Sequence, residues 1–326
     1  MELTVQTLSI PLKEPFAIAY SVVHAAELVR VTLKHEGVVG RGEAAGVDYF
    51  NETAETMTAQ IEGARKDLEA GCSLEDLQTL MRPGGARNAV DCAYWDLLTK
   101  KQNRSIWDLT GIVPETLSSV YTISLETPAK MQAKAKTSLG FSKIKIKLDA
   151  NAPIERVKAV RDVRPDAQII VDVNQGWTLD ELKDYAPTLR DLGVKMIEQP
   201  LPTGGDDGLL DYRSPVPLGA DESCQTRADL DHVRQRYQVV NIKLDKTGGL
   251  TEALKLRAAL NASGMSMMVG CMTASSLSMA PGCVVAQGCD FVDLDGPLFL
   301  TEERLDHPLS YGPGGEIELP SRALWG

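Results

Sequence analysis

A parallel α/β barrel preceded by a smaller α+β unit is the fold class that this 326-residue sequence predicts, and three observations predict it. Lys147, Asp172, Glu198, Asp221 and Lys243 stand 25, 26, 23 and 22 residues apart, the length of one strand-plus-helix unit. Each of the five ends a short apolar run, in the order KIKIKLD, IIVDVN, MIEQP, LGADES and VVNIKLD. These runs read as the carboxyl ends of successive parallel strands, where barrel folds keep their chemistry. The third observation is the helical grammar between the runs.

Taken in order, Leu28 to Leu33 and Val38 to Ala44 bracket the turn-like KHEG and predict a hairpin near the N-terminus. Thr53 to Leu68 and Ala86 to Lys101 lack strand alternation, and the second places Val90, Tyr94 and Leu97 on one helical face. This α+β unit ends near Gly111. From Leu117 strand-like and helical runs alternate, and eight strands are counted, beginning with Val120 to Leu125. Thr178 and Glu181 form a capping box, Leu182, Tyr185, Leu189 and Leu192 keep helical spacing, and Gly193 stops the helix. Thr251 to Leu260 is helical up to Gly264, Met265 to Met272 is extended, and Phe291 to Asp295 is the last strand. The closing GPGGEIELPSRALWG fits neither barrel strand nor helix, and chain order suggests its return to the first unit.

Composition narrows the function. A hydrophobic fraction of 43% supports a large core, and a net charge of −11 excludes a phosphate-backbone partner, which needs clustered cations. MELTVQTLSIPLKEPF has no basic region followed by an apolar core, and no stretch of 18 apolar residues occurs, so neither export nor a membrane span is expected and a cytoplasmic location is. Six scattered cysteines without C-x-x-C or zinc-ligand spacing read as reduced. Room is left for a homo-oligomer.

Strand alternation points Lys143, Lys145 and Lys147 one way and Ile144 and Ile146 the other. In a closed barrel one strand face meets the helices and the other the interior, so Lys145 and Lys147 point inward, and a buried lysine needs a partner or a task. Asp172, Glu198 and Asp221, on three consecutive strands, can reach one hard cation, and oxygen ligands with open positions make that cation Mg2+. Singly each is weak, and Asn174 reads equally as a helix cap. Lys147 and Lys243 flank this trio from the second and sixth strands, so one substrate carbon fits between two bases. A lysine base near neutral pH needs its pKa lowered by roughly 3 units, about 4 kcal/mol, through a dication and neighbouring ammonium groups such as Lys145 and Lys246. Other assignments stay open: Lys243 paired with Asp245, and Lys246 at the surface or on a substrate anion. VDLDG places Asp293 and Asp295 on one face, suited to a substrate ammonium or to capping and support. The four histidines are isolated, and His24 matters only because it lies in the loop Ala17 to Glu27, which is placed to cover a barrel mouth.

KIKIKLD, VDVNQGW, IEQPLP, GADESC, VNIKLDKTGG and DLDGP, with GRGEA and ARNAVDCAYWDL, resemble the muconate-lactonizing subgroup of the enolase superfamily over nearly the whole chain. The resemblance implies a modified TIM barrel, (β/α)7β, over residues 113–302, under an α+β capping domain of residues 1–112 to which residues 303–326 return. A Lys base with magnesium and an enediolate is the established pattern of that superfamily rather than a deduction from spacing. The final DLD resembles the D-x-D of dipeptide epimerases, best known on L-Ala-D/L-Glu from cell-wall peptides. By resemblance Asp172, Glu198 and Asp221 bind one Mg2+, Lys147 and Lys243 exchange the α-proton, Lys145 helps stabilise the enolate, and Asp293 and Asp295 hold the dipeptide ammonium. The L-Ala-D/L-Glu enzymes carry a capping-loop arginine that meets the acidic side chain. This chain reads AIAYSVVHAAE there, without arginine, so Tyr20, Val23 or His24 would select another residue.

The expected function is therefore Mg2+-dependent epimerization at the α-carbon of a dipeptide's C-terminal residue. N-acyl amino acid racemization, o-succinylbenzoate synthesis and cycloisomerization use the same metal and lysines. A Schiff-base aldolase through the sixth-strand lysine, or a binding protein without turnover, are rivals from other classes.

Overall fold

The computed structural model describes residues 1–326 except residue 139. The chain opens with an antiparallel sheet of β1 (Glu2–Ile18), β2 (Ser21–His35) and β3 (Val38–Ala45), in that order. The expected hairpin is β2–β3, turning at Glu36 and Gly37 with φ of 52° and 80°. β1 was not expected as a strand, and its burial explains why. Leu3 packs with Val29, Val31 and Leu33 of β2 against the first unit's helices. Leu8, Ile10 and Leu12 pack with Ala26 and Leu28 against the barrel. The inward parity switches along the strand, so no single period-2 pattern runs through it.

The segment from Ala17 to Glu27, expected as a loop, is a continuation of the β1–β2 hairpin, with Phe16, Ala17 and Ile18 opposite Val23, Val22 and Ser21. β-Branched residues there favour pairing. The hairpin end is tied to the barrel: Leu125 N donates to Ala17 O at 2.9 Å and Ala17 N to Ser124 Oγ at 2.7 Å. Its tip therefore lies over the barrel mouth as a strand pair.

Two main helices cover the other face of the sheet. Ala54–Ala70 starts at a Thr53 capping box, and Gly85–Gln102 buries Val90, Tyr94 and Leu97 as expected. The latter also buries Arg87, Asn88, Asp91 and Asp96. Arg87, Asn88 and Asp91 face the barrel loops and Asp96 meets Arg41 N of β3 and Gly326 N, which is why that helix lacks a clean amphipathic stripe.

After the short β4 (Leu117–Ser118), eight parallel strands follow: β5 (Tyr121–Ile123), β6 (Lys143–Lys147), β7 (Gln168–Asp172), β8 (Val194–Glu198), β9 (Leu218–Ala220), β10 (Val239–Ile242), β11 (Ser266–Val269) and β12 (Phe291–Val292). Each pairs with the next, and Val120 N donates to Val292 O at 2.9 Å, bringing the two edges together. The last strand is shorter than expected because, although Asp293 N still donates to Val269 O at 2.8 Å, Leu294 N turns away to Ser119 Oγ at 2.9 Å. The capping box of Thr178 and Glu181 opens the helix Leu179–Asp191, and Gly193, at φ 75°, follows its end. Among the described residues no helix is long and apolar enough to cross a membrane, and the six cysteines are free.

The final segment adds β13 (Glu316–Ile317), antiparallel to β4. It then reaches the helix Gly85–Gln102, where the buried Trp325 donates through Nε1 to Cys92 O and Gly326 N to Asp96 Oδ1, both at 2.9 Å.

Candidate active site

Parallel pairing with a common register brings the strand ends to one rim. Lys147 lies opposite Asp172, and Asp172 opposite Glu198. Asp221 and Lys243 are the first residues beyond β9 and β10. All are buried, with Lys145 2% exposed, Lys147 7% and Lys243 6%. The inward lysines are therefore a feature of the barrel interior, while Ile144 and Ile146 face the helices.

The charges interleave. Lys145 Nζ lies 2.7 Å from Asp293 Oδ2, 2.9 Å from Glu198 Oε2 and 3.0 Å from Asp172 Oδ2. Lys147 Nζ donates to Asp172 Oδ2 at 2.6 Å and Asn174 Oδ1 at 3.0 Å. Asn174 thus faces the site and caps no helix. Lys243 Nζ donates to Asp221 Oδ2 at 2.7 Å, and Asp245 instead accepts from Asn88 and Ala45, so the alternative Lys243–Asp245 pair is not formed. Lys246 is neither at the surface nor free for a substrate anion. Its Nζ is fully buried on Asp221 Oδ1 at 2.7 Å and on the carbonyls of Asp221, Cys224 and Asn241.

These pairs set the protonation states. Burial opposes ionisation of Asp172 and Asp221, but Lys145 and Lys147 lower Asp172 to about 2, and Lys243 and Lys246 hold Asp221 well below the carboxylate range. Burial and then the Asp172 charge push Glu198 up to about 7, while burial, Asp221 and Asp172 push Glu222 up to about 8. Lys243 departs from the expected lowering. Burial alone lowers it, but the Asp221 carboxylate outweighs burial and holds the ammonium well above its ordinary range.

The donor set fits a hard dication. Asp172, Glu198, Asp221, Glu222, Asp293 and Asp295 are six buried carboxyl groups against four buried ammonium groups, Lys145, Lys147, Lys243 and Lys246, which leaves two negative charges in excess when all ionise. Glu198 Oε2 is a buried acceptor with no hydrogen bond, since its contact to Lys145 lacks hydrogen-bond geometry. Oxygen-only ligands select Mg2+-like ions. Among the described residues the group of three His, Cys or carboxylate side chains whose ligand atoms all lie within 4.8 Å of one another is Cys271, Asp293 and Asp295, whereas Asp172, Glu198 and Asp221, with Lys145 between the first two, do not close to that distance. Burial and then the two aspartates raise the Cys271 thiol well above its ordinary value, and a soft sulfur ligand is poorly matched to a hard ion such as Mg2+.

Asp295 Oδ2 accepts from Thr122 N at 2.6 Å, and burial with the neighbouring Asp293 charge pushes its carboxyl well up. Asp293 and Asp295 line a small annex of about 50 Å³ with Lys145, Thr122 and Phe299. The main cavity, about 270 Å³, has Lys147, Asn174, Asp221, Glu222 and Lys243 at its floor and Ile18, Tyr20, Val23, Tyr49 and Met272 on its walls. That size suits a small ligand. Tyr20 lines it. His24 is exposed and absent from the lining, because strand alternation turns it away from the face of Val23 and Ala25.

Three residues at the rim escaped the sequence reading: Gln199, Asn241 and Glu222. Gln199 Oε1 accepts from Asp221 N and Ser223 N, at 2.9 and 3.1 Å, and so orients the residue after β9. Asn241 Nδ2 donates to Glu198 Oε1 at 2.6 Å. Asn241 shares strand parity with Lys243, and Glu222 adjoins Asp221, so both signals were readable. Gln199 takes φ of 36°, a local twist that no sequence pattern announces.

An enzyme site at the carboxyl end of a parallel barrel, closed by a separate α+β unit, is what fold and geometry define. The chain belongs to the mandelate racemase / muconate lactonizing enzyme family: residues 1–111 match its N-terminal domain, and residues 129–323 match the enolase C-terminal domain-like model. It is similar to the L-Ala-D/L-Glu epimerase of Escherichia coli strain K12, 43% identical over 89% of this chain and 91% of that protein. The N-acetyl-D-glutamate racemase of Pseudoalteromonas sp is 38% identical over 92% of this chain and 95% of that protein. A crystal structure of an Agrobacterium tumefaciens enolase family member, with bound sodium and L-Ala-L-Glu, superposes with a TM-score of 0.96 at 41% identity, covering 99% of both chains. Two further matching structures, dipeptide epimerases 27% and 26% identical, are complexed with Mg.

Proposed function

We propose that this chain is an isomerase that epimerizes dipeptides at the α-carbon of the C-terminal residue, by a Mg2+-dependent 1,1-proton transfer between two lysines. The observation that carries the reading is that Lys147 and Lys243, from the second and sixth barrel strands, line one cavity whose floor also holds Asp221. Asp172, Glu198 and Asp221 would hold the ion, which when bound supplies electrophilic stabilisation of the substrate carboxylate as charge builds on loss of the α-proton. One lysine, as the neutral amine, would take that proton from one face, and the other, as the ammonium, would return one from the opposite face, so that configuration inverts and the two lysines exchange protonation states. Lys145, held by three carboxylates, adds a fixed positive charge where negative charge develops. Asp293 and Asp295 would receive the dipeptide ammonium in the annex, which fixes which end of the substrate meets the lysines. Tyr20, on the hairpin tip, would close over the substrate and exclude water. Dipeptides released from cell-wall peptides, handled in the cytoplasm, are the proposed source.

The test is conversion of an L,L-dipeptide to its L,D form, read by chiral chromatography, with loss on EDTA treatment and recovery on adding Mg2+. Trapping of a substrate adduct by borohydride, with activity surviving EDTA, would support a Schiff-base aldolase instead. A second reading, N-acyl amino acid racemization, is favoured by the similarity to the N-acetyl-D-glutamate racemase. An N-acyl group lacks the ammonium that Asp293 and Asp295 would meet, so their replacement by Asn would spare that activity while abolishing turnover of a dipeptide.

A further inference from the structure

Behind the acidic rim lies a buried polar chain that no step of the epimerization uses. Gln199, Asp206, Ser223 and Tyr237 are all buried, and they come from the loop after β8, the turn after β9 and the segment before β10. Asp206 Oδ2 accepts from Tyr237 Oη at 2.9 Å and from Ser223 Oγ at 3.1 Å. His232 Nε2 meets its other oxygen at 3.0 Å. Gln199 Nε2 donates to Leu201 O at 2.8 Å, to Ser223 Oγ at 2.9 Å and to Tyr237 Oη at 3.2 Å.

The chain has a direction. A carboxylate only accepts, so Asp206 takes the hydroxyl hydrogens of Tyr237 and Ser223 and leaves their oxygens as acceptors for the Gln199 amide. The NH2 end of Gln199 is thereby drawn inward, and Oε1 is left to face Asp221 N at 2.9 Å and Ser223 N at 3.1 Å. Gln199 also adjoins Glu198, and its backbone is held on both sides: its N–H donates to Gly219 O and its carbonyl accepts from Gln175 N, both at 2.8 Å. A non-glycine φ of 36° persists where the surroundings over-determine it. One side chain thus ties the residue after Glu198 to the backbone of Asp221 on the next strand. An apolar side chain of similar length would fill the same space without burying so many polar atoms.

We propose that Gln199, oriented by Asp206 and Tyr237, is a positioning residue that holds Glu198 and Asp221 in register for Mg2+. The proposal rests on the metal of the epimerase reading and deepens it.

The experiment measures Mg2+ binding by isothermal titration calorimetry on the EDTA-treated and dialysed protein, without substrate and well below Tm. Tyr237→Phe keeps the ring and removes the hydroxyl, while Gln199→Met keeps the chain length and removes the amide. Tyr237→Phe should raise the Kd for Mg2+ about threefold or more and Gln199→Met about tenfold or more, the scale expected when residues behind metal ligands are replaced. Leu189→Ala, at a fully buried position with no polar link to the site, should lower Tm and leave that Kd as it is. An unchanged Kd in Tyr237→Phe, or a Kd raised as far by Leu189→Ala, would overturn the proposal and leave the epimerase reading standing. No Mg2+ binding by the parent protein would overturn both.

Discussion

Asp245 Oδ1 accepts a hydrogen bond from Asn88 Nδ2 at 3.0 Å, joining the turn just after Lys243 to the helix Gly85–Gln102 of the first unit. Ala45 N donates to the same oxygen at 3.2 Å. Arg87 grips the same turn, donating to Thr247 O at 2.6 Å and Gly248 O at 3.0 Å, and its other arm reaches Gln78 O and Met81 O. Gly249, at φ 115°, lets the turn pass Asp91, where a Cβ would fall 2.4 Å from that aspartate's Cβ. The first unit therefore holds the segment that carries Lys243 as well as covering the cavity.

Arg87→Ala strands four carbonyl acceptors, three of them in buried bonds, and should cost about 3 kcal/mol of stability in urea denaturation. If the clamp positions Lys243, the variant should also slow exchange of one enantiomer's α-proton more than the other's. Equal slowing of both would leave Arg87 a purely structural role.

Asp91 gives a pH dependence. Burial raises its carboxyl from 3.8 to about 6, despite hydrogen bonds from Thr251 N and Gln78. The folded state thus holds this proton more tightly than the unfolded chain. The contribution is fully present below pH 3.8 and is lost as pH rises through about 6, a swing of up to ~3 kcal/mol. Asp91→Asn keeps the Oδ1 acceptor for Thr251 N and should gain stability relative to the parent at pH 7 but not at pH 4. A gain independent of pH would refute this.

Removing a cation should be visible without turnover. Mg2+ bound at about 100 times its dissociation constant adds ~2.7 kcal/mol, so EDTA should lower Tm and added Mg2+ restore it. Glu198→Gln should abolish that response. A Tm insensitive to Mg2+ in the parent protein would remove the metal from the account.

Trp325 anchors the chain end. It is fully buried with its indole on Cys92 O, so Trp325→Ala should cost about 3–5 kcal/mol, measured by denaturation. A cost below 1 kcal/mol would show that the return of the chain end is dispensable.

Much of this was legible because barrel strand ends repeat at a regular interval and lysine rarely faces inward without a reason. Lys145, Lys147, Asp172, Glu198, Asp221 and Lys243 were found that way. β1 was not, since its inward parity switches between two cores. The hairpin tip read as a loop because its polar and small residues mask a pairing fixed by the barrel's first strand. Lys246 was ambiguous because its four acceptor atoms come from the turn after β9 and from β10 itself, and no local pattern encodes them. The raised pKa of Lys243 depends on a contact to Asp221, 22 residues away, and only the fold supplies it.

The central claim is that two lysines serve opposite faces of one α-carbon. Lys147→Ala and Lys243→Ala, each incubated separately with the L,L and L,D forms of a dipeptide in deuterated water, test it most directly by mass spectrometry. The account predicts no epimerization by either variant, with any surviving deuterium uptake confined to one epimer and to the opposite epimer in the other variant. Full epimerization by either variant would contradict it.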